Sequence, residues 1–295
     1  LRLGGMPVAT TTETPVTLST GSGDYSPAYL DRHLTGDMKT ATGIRPNGRP
    51  VAACHNATWL PARRTCPGLS GGCVDCYAET LERIRPTVGN AAAWRLAEWD
   101  RLKIHQVADL AFQLLARSHS RQLSAGVDRP TFRLFASGDW HSTAMVDGWR
   151  IAADRAADLT PTLTGWGYSR SYGSAGRDLL ARFLDADGYP PAGWTYYLSS
   201  DATMTGRTRN AIGGAYHRLP VAVMAKDGPT GLALLEKIRR GTGTDRRAMV
   251  CPVDGNRMPI TVERRGRMVG ACSHCRACLP TRGVDVAPDI VFPIH

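Results

Sequence analysis

The sequence predicts an α/β protein in which parallel strands alternate with crossover helices. Its 295 residues suffice for one large core, and 42% of them are hydrophobic. From residue 130 onward, short apolar runs typical of buried strands alternate with stretches of helical period. This order favours a parallel sheet, either open or closed as a complete or partial β/α barrel. We expect an N-terminal arm at 1–50, an α/β domain at 51–245 and a C-terminal cysteine-rich lobe at 246–295.

The elements follow from composition and periodicity. Residues 1–50 mix Thr, Gly, Ser and Pro with little periodicity, which predicts an irregular arm or a short hairpin. Residues 90–117 carry one broad apolar face and predict a single long helix. The alternation that follows predicts strands at 131–137, 162–168, 194–198 and 220–225, with helices at 144–157, 175–186 and 231–239.

The charge balance leaves the partner open. Lys and Arg number 36 against 26 Asp and Glu, a net charge of +10, and the excess is mostly arginine. Arginine suits phosphate recognition, which favours a nucleic acid or nucleotide partner, but a GC-rich genome encodes the same composition. No apolar run approaches the roughly 20 residues of a membrane helix, so we expect no membrane partner. Without a secretory signal peptide, C-x2-C spacings favour metal ligation over disulfides and a cytoplasmic location.

Three cysteines form the most informative cluster. Cys66, Cys73 and Cys76 have the spacing C-x6-C-x2-C. Three thiolates can hold a [4Fe–4S] cluster while leaving one iron without a protein ligand. That open position could bind a small molecule such as the amino and carboxylate groups of S-adenosylmethionine. Glycines in the intervening loop permit the tight curvature that wrapping a cluster requires.

A second cysteine cluster lies near the other end of the chain. Cys251, Cys272, Cys275 and Cys278 form this group. Three thiolates from one tight turn plus a remote one predict a second [4Fe–4S] cluster, with zinc as the alternative. Basic residues surround it and could follow a phosphate backbone or simply solvate a small lobe: Arg257, Arg264, Arg265, Arg267 and Arg276.

Polar residues follow each predicted strand, where the loops of such folds build active sites. The candidate cofactor-binding residues there are Ser137, Gly138, Asp139, Ser169, Arg170, Ser200 and Asp201. Asp139, His141 and Asp201 are the candidate catalytic residues, and Trp140 is a candidate substrate contact. The same residue types are also ordinary in turns and helix caps.

These motifs resemble the phage-encoded gene product 88 family. The segment from Thr65 to Ala78, the strand ends and the late cysteines recur in the same order over roughly residues 56–280. More distantly, the Cys73-x2-Cys76-Tyr77 end resembles radical S-adenosylmethionine enzymes, in which three cysteines on the loop after the first barrel strand bind the cluster. The departures from that superfamily are the longer spacing between the first two cysteines and an aspartate in place of the usual glutamate.

The distant resemblance implies a partial (β/α) barrel of the radical S-adenosylmethionine type and a 5′-deoxyadenosyl radical. Ser137-Gly138-Asp139 would take the place of the Gly-Gly-Glu motif, with Asp139 reaching the methionine amine. Tyr77 and the polar residues at the later strand ends would complete the cofactor site. The resemblance also implies an electron donor such as a flavodoxin or ferredoxin, in the cytoplasm of a host bacterium.

Two other functions stay open. In the first, Cys54 joins Cys66, Cys73 and Cys76 in a four-thiolate zinc or iron–sulfur site, and the protein is a non-catalytic nucleic-acid-binding module. In the second, the protein is a barrel enzyme that acts on nucleotide bases by acid–base or nucleophilic chemistry. Asp139 and Asp201 would then face each other across the barrel mouth, and zinc would be structural.

Overall fold

Parallel strands form the centre of the fold. The computed structural model describes residues 24–36, 39–66, 68, 76–160, 162–173, 178–255, 257–279 and 287–293. Its strands are β1 (Thr131–Leu134), β2 (Thr164–Ser169), β3 (Trp194–Ser200), β4 (Val221–Ala225), β5 (Ala248–Val250), β6 (Thr261–Arg264), β7 (Arg267–Gly270) and β8 (Asp289–Pro293). Six of them form one sheet in the order β1-β2-β3-β4-β8-β5, while β6 and β7 form an antiparallel hairpin.

All pairs within the six-stranded sheet are parallel. The predicted α/β class with a parallel sheet is therefore confirmed. No pairing joins β1 to β5 in the described residues, so the sheet is open there. The segment 56–60 extends the β1 edge: Ala57 pairs with Arg133 in parallel, and the Leu60 N–H donates to the Ser137 carbonyl at 3.0 Å.

Eight α-helices are present in the described residues. They are α1 (Pro27–His33), α2 (Tyr77–Ile84), α3 (Pro86–Asp100), α4 (Ile104–Ser124), α5 (Thr143–Leu159), α6 (Thr205–Ile212), α7 (Gly228–Arg239) and α8 (Ala271–Cys275). Short 3-10 helices lie at Ala52–Cys54, Leu180–Phe183 and Ala202–Met204. None of the helices in these ranges is both long and apolar enough to cross a lipid bilayer.

The two faces of the sheet are covered differently. Buried residues of α4, α5, α6 and α7 share one core with Phe132, Leu134, Tyr196 and Leu198 of the sheet. On the strands, neighbouring residues point to opposite faces. Tyr197 accordingly belongs to a second core, which it shares with Cys251, Ala271 and Ile290. The helices thus cover one face, and the cysteine-rich part of the chain covers the other.

Two predicted helices were wrong. The helix predicted at 90–117 is interrupted, because Lys103 begins α4 as its N-cap and its N–H donates to the Gln106 side chain at 3.0 Å. The apolar spacing continues through this break, so periodicity alone could not reveal it. In the helix predicted at 175–186, residues 174–177 lie outside the described residues, and the rest contains only the 3-10 turn Leu180–Phe183.

The described part of the predicted N-terminal arm is tied to both halves of the protein. In α1, Leu30 belongs to the main core. Further on, the Ile44 N–H donates to the Met268 carbonyl, and the Cys272 N–H donates to the Lys39 carbonyl, both at 2.8 Å. Strands β5 and β8 lie beyond residue 245 and complete the main sheet. The domain limits at 50 and 245 stay predictions.

Close packing of α4 on α5 depends on Gly148. A Cβ atom there would lie 2.4 Å from Val107 Cγ1 and 2.9 Å from the Ile104 carbonyl oxygen. We expect Gly148→Ala to lower the free energy of unfolding by about 1–3 kcal/mol, because the helices must move apart. Gly206 in α6 is the control, since nothing lies within 4 Å of its Cβ position. Gly206→Ala should raise stability by about 0.5–1 kcal/mol through helix propensity. Urea unfolding of both variants checks the opposite signs.

Candidate functional site at the carboxyl edge of the sheet

The chain reaches Cys66 along an added edge of the sheet. The Arg133 N–H donates to the Asn56 carbonyl at 2.7 Å, and the Ala136 N–H donates to the Thr58 carbonyl at 2.7 Å. These bonds make residues 56–60 run beside β1 in the same direction. The loop that begins at Cys66 therefore follows the carboxyl end of a parallel segment, which is where α/β folds build their sites.

The cysteine loop lies directly on the ends of β1 and β2. Gly138 has a φ of +82°, and a Cβ atom there would lie 2.5 Å from Thr65 Oγ1. A Cβ on Gly68 would lie 2.0 Å from the Arg170 carbonyl oxygen. Only glycine fits at either position, because both contacts are shorter than real Cβ atoms allow. Residues next to Cys66 therefore touch the residues predicted to form the rim.

The far end of the loop is held at the same place. Cys76 is the N-cap of α2 and packs against a small core that contains Trp59 and Ala136. A carboxylate of α2 fastens it there: Glu82 Oε1 accepts from Trp59 Nε1 and from the Ala62 N–H, both at 3.0 Å. Cys66 and Cys76 are both half-buried. The predicted ligand Cys73 and the side chain of Tyr77 lie outside the described residues.

Asp139 joins the ends of β1 and β2. It is buried, and its two oxygens accept from the Trp140 N–H and the Arg170 N–H at 2.7 Å each. These donors favour the carboxylate, but burial outweighs them and raises the pKa of Asp139 to about 6. A carboxyl group with this pKa can hold or release a proton near neutral pH.

Arg170 and Asp201 form a buried ion pair at the same rim. Arg170 Nη1 lies 2.7 Å from Asp201 Oδ2, and the two side chains are only 10% and 6% exposed. Arg170 Nη2 also contacts the Met224 sulfur at 3.0 Å, and its Nε donates to Ser199 Oγ at 3.3 Å. The structure thus brings Asp139, Arg170 and Asp201 together, as the strand ends predicted.

The predicted serines are arranged in three different ways. Ser137 is buried, and its Oγ has no hydrogen-bond partner in the described part of the chain. Ser169 Oγ accepts from the Ser171 N–H at 2.9 Å and lies beside Asp139. Ser200 turns to the opposite face of β3, where its Oγ lies 2.7 Å from Thr208 of α6. The neighbouring Ser199 is the serine that contacts Arg170, so Ser200 was a wrong choice for the rim.

His141 and Trp140 have other surroundings than expected. His141 Nε2 lies 2.8 Å from Asp100 Oδ1 at the end of α3, a carboxylate that the sequence did not single out. Trp140 is fully buried and packs its ring against Phe135 and Tyr196. The expectation that Trp140 contacts substrate was wrong, because its ring fills the core.

The late cysteines line one pocket on the other face of the sheet. Cys251, Cys272, Cys275 and Cys278 all border it. Burial raises the pKa of Cys251 to about 11 and that of Cys278 to about 12, and it also raises the pKa of Cys272. Bound metal would offset this cost, because a cation stabilises a thiolate. Within the described residues, however, no three His, Cys, Asp or Glu side chains are arranged to hold a metal ion.

Polar groups surround the late cysteine pocket, and sequence reasoning missed them. Lys39 borders the pocket and forms an ion pair of 2.6 Å with Asp254. Tyr168 and Tyr197 are buried beside Cys278, and burial raises the pKa of both phenols well above 10. Lys39 and Asp254 are separated by 215 positions in the chain, so no local spacing could have revealed the pair.

Cys54 lies apart from the Cys66 loop. It is buried at the amino end of the segment 56–60, where the Asn56 side chain donates to Thr131 Oγ1 at 2.8 Å. Burial raises the pKa of Cys54, and its polar neighbours include Thr42 and Arg267. Residues 56–60 alone span about 13 Å at the usual rise of a strand. This separation argues against a four-thiolate site that includes Cys54.

The raised pKa of Asp139 makes a pH-dependent prediction. Its pKa rises from 3.8 to about 6 on folding, so the native state holds the proton more tightly. Stability should therefore fall as pH rises through that window, by about 3 kcal/mol from this group. The free energy of unfolding of the wild type, minus that of Asp139→Asn, should decline between pH 4 and pH 7. A difference that stays constant with pH would contradict the shift.

The fold and this rim define the chain as a parallel α/β protein with a cysteine loop at the carboxyl edge of its sheet. The model of the family described as gene product 88 matches residues 31–281. The chain therefore belongs to the gene product 88 family. Neither a curated protein nor a solved structure matches the chain.

Proposed function

We propose that the protein is a radical S-adenosylmethionine-type iron–sulfur enzyme. The observation that carries this proposal is the position of the cysteine loop. The loop starts at Cys66 after a segment parallel to β1, touches Gly138 and Arg170 with two of its glycine neighbours, and ends at Cys76. Cys66, Cys73 and Cys76 would hold a [4Fe–4S] cluster there, beside the rim that contains Asp139.

The fold supports the same proposal. Strands β1 to β4 follow one another in order across the sheet, and the helices after them share one core on one face. A β/α barrel requires both properties, whereas a doubly wound sheet has helices on both faces. We therefore propose a partial barrel of the radical S-adenosylmethionine type, in which the cysteine-rich part of the chain occupies the inner face.

The residues at the rim fit the cofactor that this proposal requires. Each oxygen of Asp139 accepts one backbone N–H and keeps a further lone pair for a methionine amine. The unpartnered Oγ of Ser137 lies next to the glycine that touches the cysteine loop. Arg170 offers more donors than its contact with Asp201 consumes, which suits a carboxylate or ribose oxygen.

The chemistry would come from the cofactor and the positions from the protein. When bound, a reduced cluster supplies the electron that cleaves a carbon–sulfur bond of S-adenosylmethionine and yields the 5′-deoxyadenosyl radical. The cytoplasmic electron donor would be a flavodoxin or a ferredoxin. Asp139 would orient the methionine amine, and the Arg170–Asp201 pair would keep the rim rigid and its charge balanced. A nucleic acid or nucleotide is the substrate class that the basic charge favours.

The late cysteines would hold a second metal centre. Four thiols around one largely apolar pocket suit either an auxiliary [4Fe–4S] cluster or zinc. Lys39 would offset the negative charge of the thiolates, since it borders the pocket and lies near Cys272 and Cys251. Iron and zinc are distinguished by analysis of the purified protein.

One specific observation favours acid–base catalysis as a second candidate function. Asp139 and Asp201 both contact Arg170, through its backbone N–H and its guanidinium respectively. With its pKa near 6, Asp139 could act as a general base or acid. This candidate requires no open iron, so it predicts activity that survives without a cluster.

The test of the proposal is the metal content and the radical product. The full chain is purified without oxygen, analysed for iron, sulfide and zinc, then reduced with dithionite in the presence of S-adenosylmethionine. We expect about four or about eight irons per chain, with 5′-deoxyadenosine formed. Zinc without iron, or iron without 5′-deoxyadenosine, would overturn the proposed function.

A further inference from the structure

A second functional surface lies at the opposite edge of the sheet from the cysteine loop. Five arginines line a pocket there, which we call the arginine pocket: Arg129, Arg264, Arg265, Arg267 and Arg276. Arg276 fixes its position, because its Nη1 donates to the Arg129 carbonyl and its Nη2 donates to Thr164 Oγ1, both at 3.2 Å. Thr164 is the first residue of β2 and Arg129 precedes β1, so this is the amino edge.

The arginine pocket has two walls from distant parts of the chain. One is the loop 126–129 between α4 and β1, and the other is the β6–β7 hairpin with α8. They touch where a Cβ on Gly126 would lie 3.2 Å from Arg267 Nη2. The hairpin is held in place from below by the bond from the Ile44 N–H to the Met268 carbonyl. The arginines therefore converge on a built concavity instead of being scattered over the surface.

The charge of the arginine pocket is poorly compensated by its own lining. Asp128 is the one acidic residue among the described residues that border it. Its Oδ2 lies 3.1 Å from Arg265 Nη1 and 3.7 Å from Arg264 Nη2, so a single carboxylate serves two guanidinium groups. Burial and the positive charges of Arg129 and Arg264 lower the pKa of Arg276 to about 10. An anion would relieve this repulsion.

The chemistry of the lining selects the kind of anion. Guanidinium forks match the oxygens of phosphate, and several of them together suit a group that carries charge on more than one oxygen. Arg265 is 77% exposed at the tip of the hairpin and can reach a second phosphate beside the pocket. No aromatic side chain borders the pocket in the described residues, which leaves nothing to stack on a base.

We propose that the arginine pocket binds the phosphodiester backbone of a nucleic acid with little sequence preference. Contacts to phosphate position a nucleic acid, whereas contacts to base edges specify its sequence. The proposal goes beyond the proposed function, because it concerns the opposite edge of the sheet and holds whether or not Cys66 binds a cluster. It gives the protein a docking surface for a nucleic acid that is separate from the rim.

The test measures anisotropy of a fluorescein-labelled single-stranded DNA oligonucleotide of mixed sequence at several KCl concentrations. We expect salt-dependent binding to the full chain. The double variant Arg264→Gln/Arg265→Gln should bind about tenfold more weakly, with a salt slope reduced by about 2, one for each lost phosphate contact. Its circular dichroism should be unchanged, since Arg265 is exposed and Arg264 reaches only Asp128.

Two further variants make the test specific. Lys237→Gln/Arg240→Gln removes the same charge from exposed positions on α7 and should weaken binding less than about twofold. Asp128→Asn removes the carboxylate that competes with the phosphate and should tighten binding about threefold. Equal losses in the two double variants, weaker binding by Asp128→Asn, or no salt-dependent binding by the wild type would each overturn the proposal.

Competition identifies the source of the phosphate. Unlabelled oligonucleotide should displace the probe, while inorganic phosphate at an equal concentration of phosphate groups should not, because it lacks the neighbouring charges. If inorganic phosphate displaces the probe as well as the oligonucleotide does, the pocket serves a small phosphate ligand and the proposal is wrong. If polyglutamate competes equally, the pocket recognises charge alone, which also contradicts it.

Discussion

Cys66→Ser should abolish the first cluster and all formation of 5′-deoxyadenosine. The variant removes one of three thiolates, and a hydroxyl is a poor ligand for iron in a cluster. Anaerobic iron analysis should show a loss of about four irons per chain, with any metal at the late cysteines retained. The assay for 5′-deoxyadenosine should show no product above background.

The matched control for this variant is Cys54→Ser. It makes the same chemical change at a thiol that is buried at the amino end of segment 56–60. Iron content and 5′-deoxyadenosine should stay at wild-type levels. If Cys54→Ser loses iron to the same extent as Cys66→Ser, the four-thiolate site is correct and the open iron position is not. If neither variant loses iron, the first cluster is misassigned.

Asp201→Ala should destabilise the protein by about 3–5 kcal/mol, since it leaves Arg170 buried without its carboxylate. The loss includes the bonds by which Asp201 caps the following 3-10 helix, from the Thr203 N–H at 2.8 Å. Urea unfolding measures the change. Replacing both charges, as Arg170→Met/Asp201→Leu, should recover part of the loss, because no buried charge then remains.

The exposed pair Arg63–Glu79 provides the control for burial. Its atoms lie 3.1 Å apart, but the side chains are 45% and 47% exposed. Glu79→Gln should change stability by less than about 1 kcal/mol, because water screens the charge. Similar losses for Asp201→Ala and Glu79→Gln would mean that the rim is more hydrated than its burial indicates.

The rim was predictable because parallel strands place their carboxyl ends at one edge. The sequence identified Asp139, Arg170 and Asp201 at three different strand ends, and the sheet brings them together. The face of each side chain was harder to predict. A shift of one residue along a strand reverses the face, so Ser199 contacts Arg170 while Ser200 contacts Thr208.

Contacts between distant segments were not predictable. Lys39 joins the late cysteines through hydrogen bonds and packing between the two ends of the chain, which have no shared period or motif. The break between α3 and α4 was also invisible, since both helices bury apolar faces in one core. Local patterns describe what each segment buries, and tertiary contacts decide what it is buried against.

Strand order has a consequence for the birth of the protein on the ribosome. β8 pairs with β4 on one side and β5 on the other, yet it is synthesised after both. Until Asp289–Pro293 emerges, β4 keeps an unpaired edge and β5 has no neighbour in the sheet. Open strand edges invite pairing with other chains. The nascent protein therefore depends on late closure by an interior strand, and slow elongation at this point would prolong its exposure to aggregation.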